Sequence, residues 1–451
     1  MRKLLLCAVL LSTLCSAVLS LPALAIDRQP SADYRARREA LAKKLNGGAA
    51  LIFAAIEGDG PNALHGFRQN DNFYYLTGWA EPGAAVLIAP ARDAKDEQPA
   101  RAYTEILLLL PRDMLGERWT GPKLGPDSPD AASITGFDRV ESLSKLDEEL
   151  PKLLTVGDKV YTELAAPGEV TSSSGLLDWL KRTRAISARV RTVDAKPLLA
   201  SLRTVKDAGE IALIKEATEA SMAAHLAVMH EIKPGMTERE VGAILRYEWE
   251  RRGCERDSYA PIVGAGFNGT ILHYSENSET VHPYDTVVID AAGEYSMYAT
   301  DITRTLPANG KFSARQREIY DIVLGAQQAA MAAFQSGTST LGRETPNTLN
   351  TAAKNYINTH GKDLHGESLG KYFVHGLGHY VGLNVHDDGD YDIPLGPGMV
   401  FTIEPGIYIP EEKLGVRIED MFYVDQDGKL IQLTASLPRT ADAVERAMAG
   451  K

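Results

Sequence analysis

Four stretches in the second half of the chain hold carboxylates and histidines in settings that suit catalysis better than solvation. In the first, the apolar run 285–290 (DTVVID) ends on Asp290, and Asp301 follows a turn-compatible 291–294 and a short return segment at 296–300. On such a hairpin the two aspartates share a face, and adjacent carboxylates repel strongly unless a proton or cation separates them. In the second, 374–387 (VHGLGHYVGLNVHD), His375, His379 and His386 fall within twelve residues of a chain with ten histidines in all. The interleaved glycines let the backbone come close to whatever the histidines surround. The third, 398–406 (GMVFTIEPG), delivers Glu404 at the end of an apolar strand, and the fourth, 415–420 (GVRIED), embeds Glu419 near Ile418 and Met421. A glutamate inside an apolar strand is costly unless it is paired or coordinated.

Each residue alone has a plainer reading. The aspartates would serve as turn or capping residues, Glu404 as a solvated strand end, and Glu419 as an edge-strand charge. Together, four carboxylates and at least one imidazole suit two divalent cations held by oxygen and nitrogen ligands, with no thiolate to call for a soft metal. Two cations about 3.5–4 Å apart can share a hydroxide and clamp an oxyanion. The residues thus point to two-metal hydrolysis. They leave open the bond that is cut and which histidine is a ligand.

The elements that must position these groups can be read around them. Capping boxes open helices at 207–210, 237–240 and 313–316, expected to run to about 232, 252 and 334. Strands carrying the polar residues lie between and after them. Upstream, residues 31–200 alternate helical and extended signals: helices near 34–45, 144–154 and 174–184, and strands near 49–54, 84–88, 105–110, 159–162 and 188–193. This predicts an α/β N-terminal domain over 26–204 and a catalytic domain over 205–451.

The order Asp290, Asp301, His379, Glu404, Glu419 resembles the metal-ligand order of the pita-bread metallopeptidases, a group that includes methionine aminopeptidase, prolidase and aminopeptidase P, with creatinase as a relative. The segment 375–387 resembles the signature shared by prolidase and aminopeptidase P. Segments 271–274 (ILHY), 301–305 (DITRT), 403–408 (IEPGIY) and 417–420 (RIED) resemble aminopeptidase P in particular, as do 67–79 (FRQNDNFYYLTGW) and 81–83 (EPG) in the first domain. One departure is Ala292, where the family commonly has glycine; here the glycine is Gly293.

The resemblance implies an α+β pita-bread catalytic domain with Asp290, Asp301, His379, Glu404 and Glu419 as metal ligands. The metals would be two divalent ions, manganese before zinc or cobalt. It implies that His273 and His386 contact the reacting carbonyl, that Glu404 also moves protons, and that His375 and Arg417 lie in the substrate pocket. The implied activity is release of the N-terminal residue from peptides with proline second, by a homo-oligomer. Prolidase, which cuts Xaa-Pro dipeptides, is the enzyme alternative; a catalytically silent binding protein on the same fold is the alternative of another class.

Residues 1–25 have the layout of a secretory signal: Arg2 and Lys3, an apolar run from Leu4, Pro22, and the small-x-small site Ala23-Leu24-Ala25. Cleavage there predicts an exported protein, periplasmic or extracellular, without stable membrane insertion. It would leave Cys254 as the single cysteine, with no internal disulfide available. The formal net charge of −12 argues against nucleic acid or anionic lipid as the main partner.

Overall fold

Runs of alanine, valine, leucine and isoleucine build the centre of the first domain. Strands Ala49–Phe53, Ala85–Ala89 and Thr104–Leu109 are buried on both faces, so their sequences run apolar instead of alternating. Val140–Ser142 extends one edge of the sheet, and Lys159–Thr162 and Arg191–Asp194 extend the other, giving six strands of mixed direction. One face of the three central strands packs with Leu41 of helix Ser31–Lys44. The other packs with Leu146, Leu150 and Leu153 of helix Leu146–Leu153. The computed structural model describes residues 28–56, 66–94, 100–155, 157–164, 191–343 and 347–450. The helix expected at 174–184 and the start of the strand at 188–193 lie outside the described residues.

All three capping boxes close in the second domain. Asp207, Thr237 and Ser313 accept from the N3 amides of helices Ala208–Glu231, Glu238–Glu250 and Ala314–Ala333, and the N3 side chains return to the cap amides. The first two helices pack together, and the third packs on helix Leu349–His360. Helix Ala208–Glu231 also packs on helix Ala441–Ala449. Around them lie a sheet ordered Thr303–Pro307, Thr286–Asp290, Ile262–Ala265, a second ordered Val400–Ile403, Asp420–Val424, Leu430–Gln432, and the ribbon Gly406–Ile409 with Leu414–Arg417. Single bridges Thr303–Glu419 and Tyr380–Phe401 join these pieces. The chain is therefore α/β in its first half and α+β in its second.

The expected hairpin between Asp290 and Asp301 needs correction. Asp290 pairs with Thr303, so Asp301 lies beyond the paired strand. The chain turns at Ser296 (φ 52°) and Met297 (φ 71°), between bridged Tyr295 and Tyr298, and not at 291–294. Two left-handed residues without glycine or asparagine carry no turn signal in sequence. Gly293 instead pairs with Asp257 and lies against Trp249 and Cys254, where a Cβ would come within 2.8 Å of each. Ala292 is buried one residue earlier, so the shifted glycine has a local packing reason. Cys254 itself is buried, and burial pushes its thiol up to about 12.

The two halves meet through charges of the 67–79 segment. Arg68 donates to Glu294 (2.8 Å), to Asp71 (2.7 Å) and to the Leu383 carbonyl (2.6 Å), on the loop that carries His386. Arg203 and Lys206, in the connection between domains, both hold buried Asp387. The first domain thereby anchors the end of the histidine stretch from beneath. Among the described residues, no helix is long and apolar enough to cross a membrane.

Candidate active site

Asp290 ends its strand, Asp301 follows the turn, Glu404 follows strand Val400–Ile403, and Glu419 sits between Arg417 and Asp420 at the junction of two strands. His379 comes from the glycine-rich loop. Gly378 is required there, because a Cβ would lie 2.1 Å from the Thr402 carbonyl. That close approach lets Thr402 exchange hydrogen bonds with His379, its amide donating to the His379 carbonyl (2.9 Å) and its hydroxyl accepting from the His379 amide (3.2 Å).

His379 has a fixed tautomer. Its Nδ1–H donates to the Tyr380 carbonyl at 3.1 Å, leaving the Nε2 lone pair to face the carboxylates. Nε2 lies 3.3 Å from Asp301 Oδ2, 3.6 Å from Glu404 Oε1 and 3.9 Å from Glu419 Oε1. Ligand atoms of Asp301, His379 and Glu419 all lie within 4.8 Å of one another. Asp290 is tied in from the other side by Tyr259, whose hydroxyl contacts Oδ1 of both Asp290 (2.6 Å) and Asp301. One hydroxyl proton cannot serve two carboxylates.

Burial and mutual repulsion act together on this cluster. Burial pushes the Asp301 carboxyl well above its usual range, and Asp290 adds to the rise. Burial does the same to Glu419, with Asp301 and Asp290 adding, and to Glu404, with Glu419 adding. Thr303 donates to Glu419 Oε2 at 2.7 Å, whereas buried Oε1 has no hydrogen-bond partner. An orphaned carboxylate oxygen beside a histidine lone pair and two further carboxylates is the donor set of a divalent cation, so these residues fit a metal.

The other candidates surround the same cavity, of about 520 Å³, which is lined by all five of these residues and by His273, His375, His386, Tyr408 and Arg417. His375 is held by a relay: Arg417 donates to the Tyr408 hydroxyl (2.8 Å), Tyr408 donates to His375 Nε2 (2.8 Å), and Nδ1–H donates to the Gly376 carbonyl (2.8 Å). Burial, with Arg417 nearby, brings His375 down to about 4. His386 packs against His379 with ring centres 4.2 Å apart, and burial, with His379 beside it, brings it to about 4 as well. Both rings are therefore neutral at physiological pH. Arg417 is 3% exposed and donates to Asp290 Oδ2 at 2.6 Å, so it reaches the cluster itself as well as the pocket.

Two residues of the site carry no sequence signal. Tyr259 stands alone in an irregular segment, and Arg343 belongs to a loop remote in sequence from every motif. Only the fold brings Tyr259 against Asp290 and Asp301 and Arg343 to the cavity wall.

Known proteins resemble the chain over both domains. Residues 212–426 match metallopeptidase family M24, and residues 34–161 match the aminopeptidase P N-terminal domain. An Xaa-Pro aminopeptidase of Escherichia coli (strain K12) is 36% identical over 92% of this chain and 97% of its own length. Xaa-Pro aminopeptidase 3 of Homo sapiens is 33% identical over 84% of this chain and 76% of its own. Among solved structures, aminopeptidase P from E. coli with the inhibitor Pro-Leu superposes with a TM-score of 0.81 at 33% identity, covering 94% of this chain and 99% of that one.

Proposed function

The chain belongs to metallopeptidase family M24, joined to an aminopeptidase P N-terminal domain, and from that premise we propose that it removes the first residue from peptides whose second residue is proline. The observation that carries the proposal is the convergence of Asp290, Asp301, His379, Glu404 and Glu419 on one cavity, with a buried carboxylate oxygen left unsatisfied. Those five residues would hold two divalent cations, manganese by preference. Bound there, the cations would supply an acidified water and electrostatic stabilisation of developing negative charge.

The chain's own residues do the rest. Glu404, on the cavity wall, takes the proton of the attacking water and gives it to the departing proline nitrogen. That nitrogen belongs to a tertiary amide with no N–H, so a site for this bond has no use for an acceptor at that point. His386, neutral and lining the cavity, offers an N–H to the oxyanion, and His273, which lines the same cavity, does so beside it. His375, with Nδ1 and Nε2 both engaged, shapes the wall of the substrate pocket together with Tyr408 and Arg417.

Export as a cleaved periplasmic or extracellular protein, and assembly as a homo-oligomer, complete the proposal. The start of the sequence supports the first. The test of substrate is a matched series: an Xaa-Pro dipeptide, an Xaa-Pro-Xaa tripeptide and a longer Xaa-Pro-peptide, each against its alanine counterpart. Cleavage of the tripeptide and longer peptides, with strong preference for proline, is expected. Activity confined to the dipeptide would identify a prolidase, and indifference to proline would reject both specificities.

A further inference from the structure

We infer that Arg343 binds the C-terminal carboxylate of short peptide substrates and so sets a preference for free-acid peptides. The inference rests on the peptidase reading above. Arg343 lines the same cavity as the carboxylate cluster, on the wall formed with Gly342, Gly376 and Asp392. Its side chain lies along Gly376, where a Cβ would stand 3.3 Å from Nε and 3.6 Å from a terminal nitrogen. It is close enough to His375 to disfavour the charged ring. The loop is held in place by the Gly342 amide, which donates to the Tyr391 carbonyl at 2.7 Å.

What separates Arg343 from the other cavity arginine is its lack of employment. Arg417 is consumed by Asp290, Tyr408 and Thr303. Arg343 forms no ion pair among the described residues, although Asp392 lines the same wall. An aminopeptidase fixes its substrate by the amino end at the reacting centre, so the rest of the peptide extends along the cavity toward the outside. A planar, permanently charged fork on that wall matches a terminal carboxylate in charge and geometry. A peptide amide of the same length offers only a neutral acceptor.

The test uses the metal-loaded full chain and Arg343→Gln. Tri-, tetra- and pentapeptides beginning Xaa-Pro are compared as free acids and as C-terminal amides. In the parent protein, the length whose carboxylate meets Arg343 should show a lower KM as acid than as amide. Arg343→Gln should raise that acid KM about tenfold, leaving kcat and every amide nearly unchanged. Equal effects on acids and amides at every length, or no effect at all, would overturn the inference. If the parent protein cleaves none of these peptides, the peptidase reading fails separately. Calorimetric binding of Pro-Xaa, Pro-Xaa-Xaa and Pro-Xaa-Xaa-Xaa as free acids against their amides, with and without Arg343→Gln, then judges the arginine: a loss confined to the acid at one length supports it, and equal binding at every length rejects it.

Discussion

Asp387 at the domain junction and Asp420 at the start of the central strand of the second sheet are as deeply buried as Asp301 and Glu419 in the cavity. Their surroundings differ in one respect. Burial alone would raise all four carboxyls, but Arg203 and Lys206 outweigh it at Asp387, and Arg304 at 2.7 Å outweighs it at Asp420, so both end below the usual range. Asp301 and Glu419 face mainly other carboxylates and the unprotonated side of His379, and both end well above it. The protein supplies its own cations where a carboxylate serves the fold. Where it withholds them, a cation from outside is called for.

The largest effect expected from breaking this contrast is at the cluster. Glu419→Ala removes a ligand that no neighbour replaces, so metal content and turnover should collapse together, beyond the roughly 10–100-fold that loss of an outer partner costs. Elemental analysis beside kinetics on an Xaa-Pro-peptide checks it; full metal content and rate in the variant would remove Glu419 from the ligand set.

The histidines divide next. His379→Ala should lower metal occupancy. His273→Ala and His386→Ala should keep the metal and lose about 10²–10³ in kcat with little change in KM. Equal metal loss in all three would contradict the separation of roles.

At the paired site the effect moves from activity to stability. Arg203→Ala leaves Asp387 buried beside Lys206 alone and should cost about 3–5 kcal/mol, read from denaturant unfolding of the metal-loaded protein. Replacing Arg203, Lys206 and Asp387 together by apolar residues should cost less than Arg203→Ala, since no charge of the triad is then stranded.

The smallest effect is in pH dependence, and its sign differs between the two sets. Asp387 and Asp420, held below the usual range, contribute stability that is present above the ordinary aspartate value of about 3.9 and lost as pH falls through their depressed values. Asp301 and Glu419 in metal-stripped protein, held above that range, favour the fold at pH below the ordinary value and lose that contribution as pH rises through their raised values. Stripped protein should therefore be stabilised by mild acid, and Glu419→Gln should flatten that response. Melting curves against pH, with and without chelator, measure both.

Much of this was legible in sequence because the groups sit at strand ends and in a glycine-rich loop. Asp290 and Glu404 follow apolar runs, and Gly378 announces a close backbone approach. Capping boxes at Asp207, Thr237 and Ser313 placed three helices, since reciprocal side-chain bonds leave a local pattern. The spatial neighbours were not legible. Tyr259 reaches Asp290 and Asp301 across the fold, and Arg343 reaches the cavity from a loop with no periodicity. The turn at Ser296 and Met297 was missed because tertiary packing imposes φ values that local sequence does not favour. Helix Asp71–Thr77 passed unread inside its motif for want of length, although its Asn70 cap and left-handed Gly78 are ordinary helix ends.

The most direct test of the central claim is to strip the full-length protein with chelator and titrate manganese back, following bound metal and turnover of one Xaa-Pro-Xaa peptide in the same samples. The account predicts that turnover is lost on stripping and returns as two ions bind per chain. A stripped protein that cleaves the peptide at the original rate, or one that binds no divalent ion at the cluster, would contradict it.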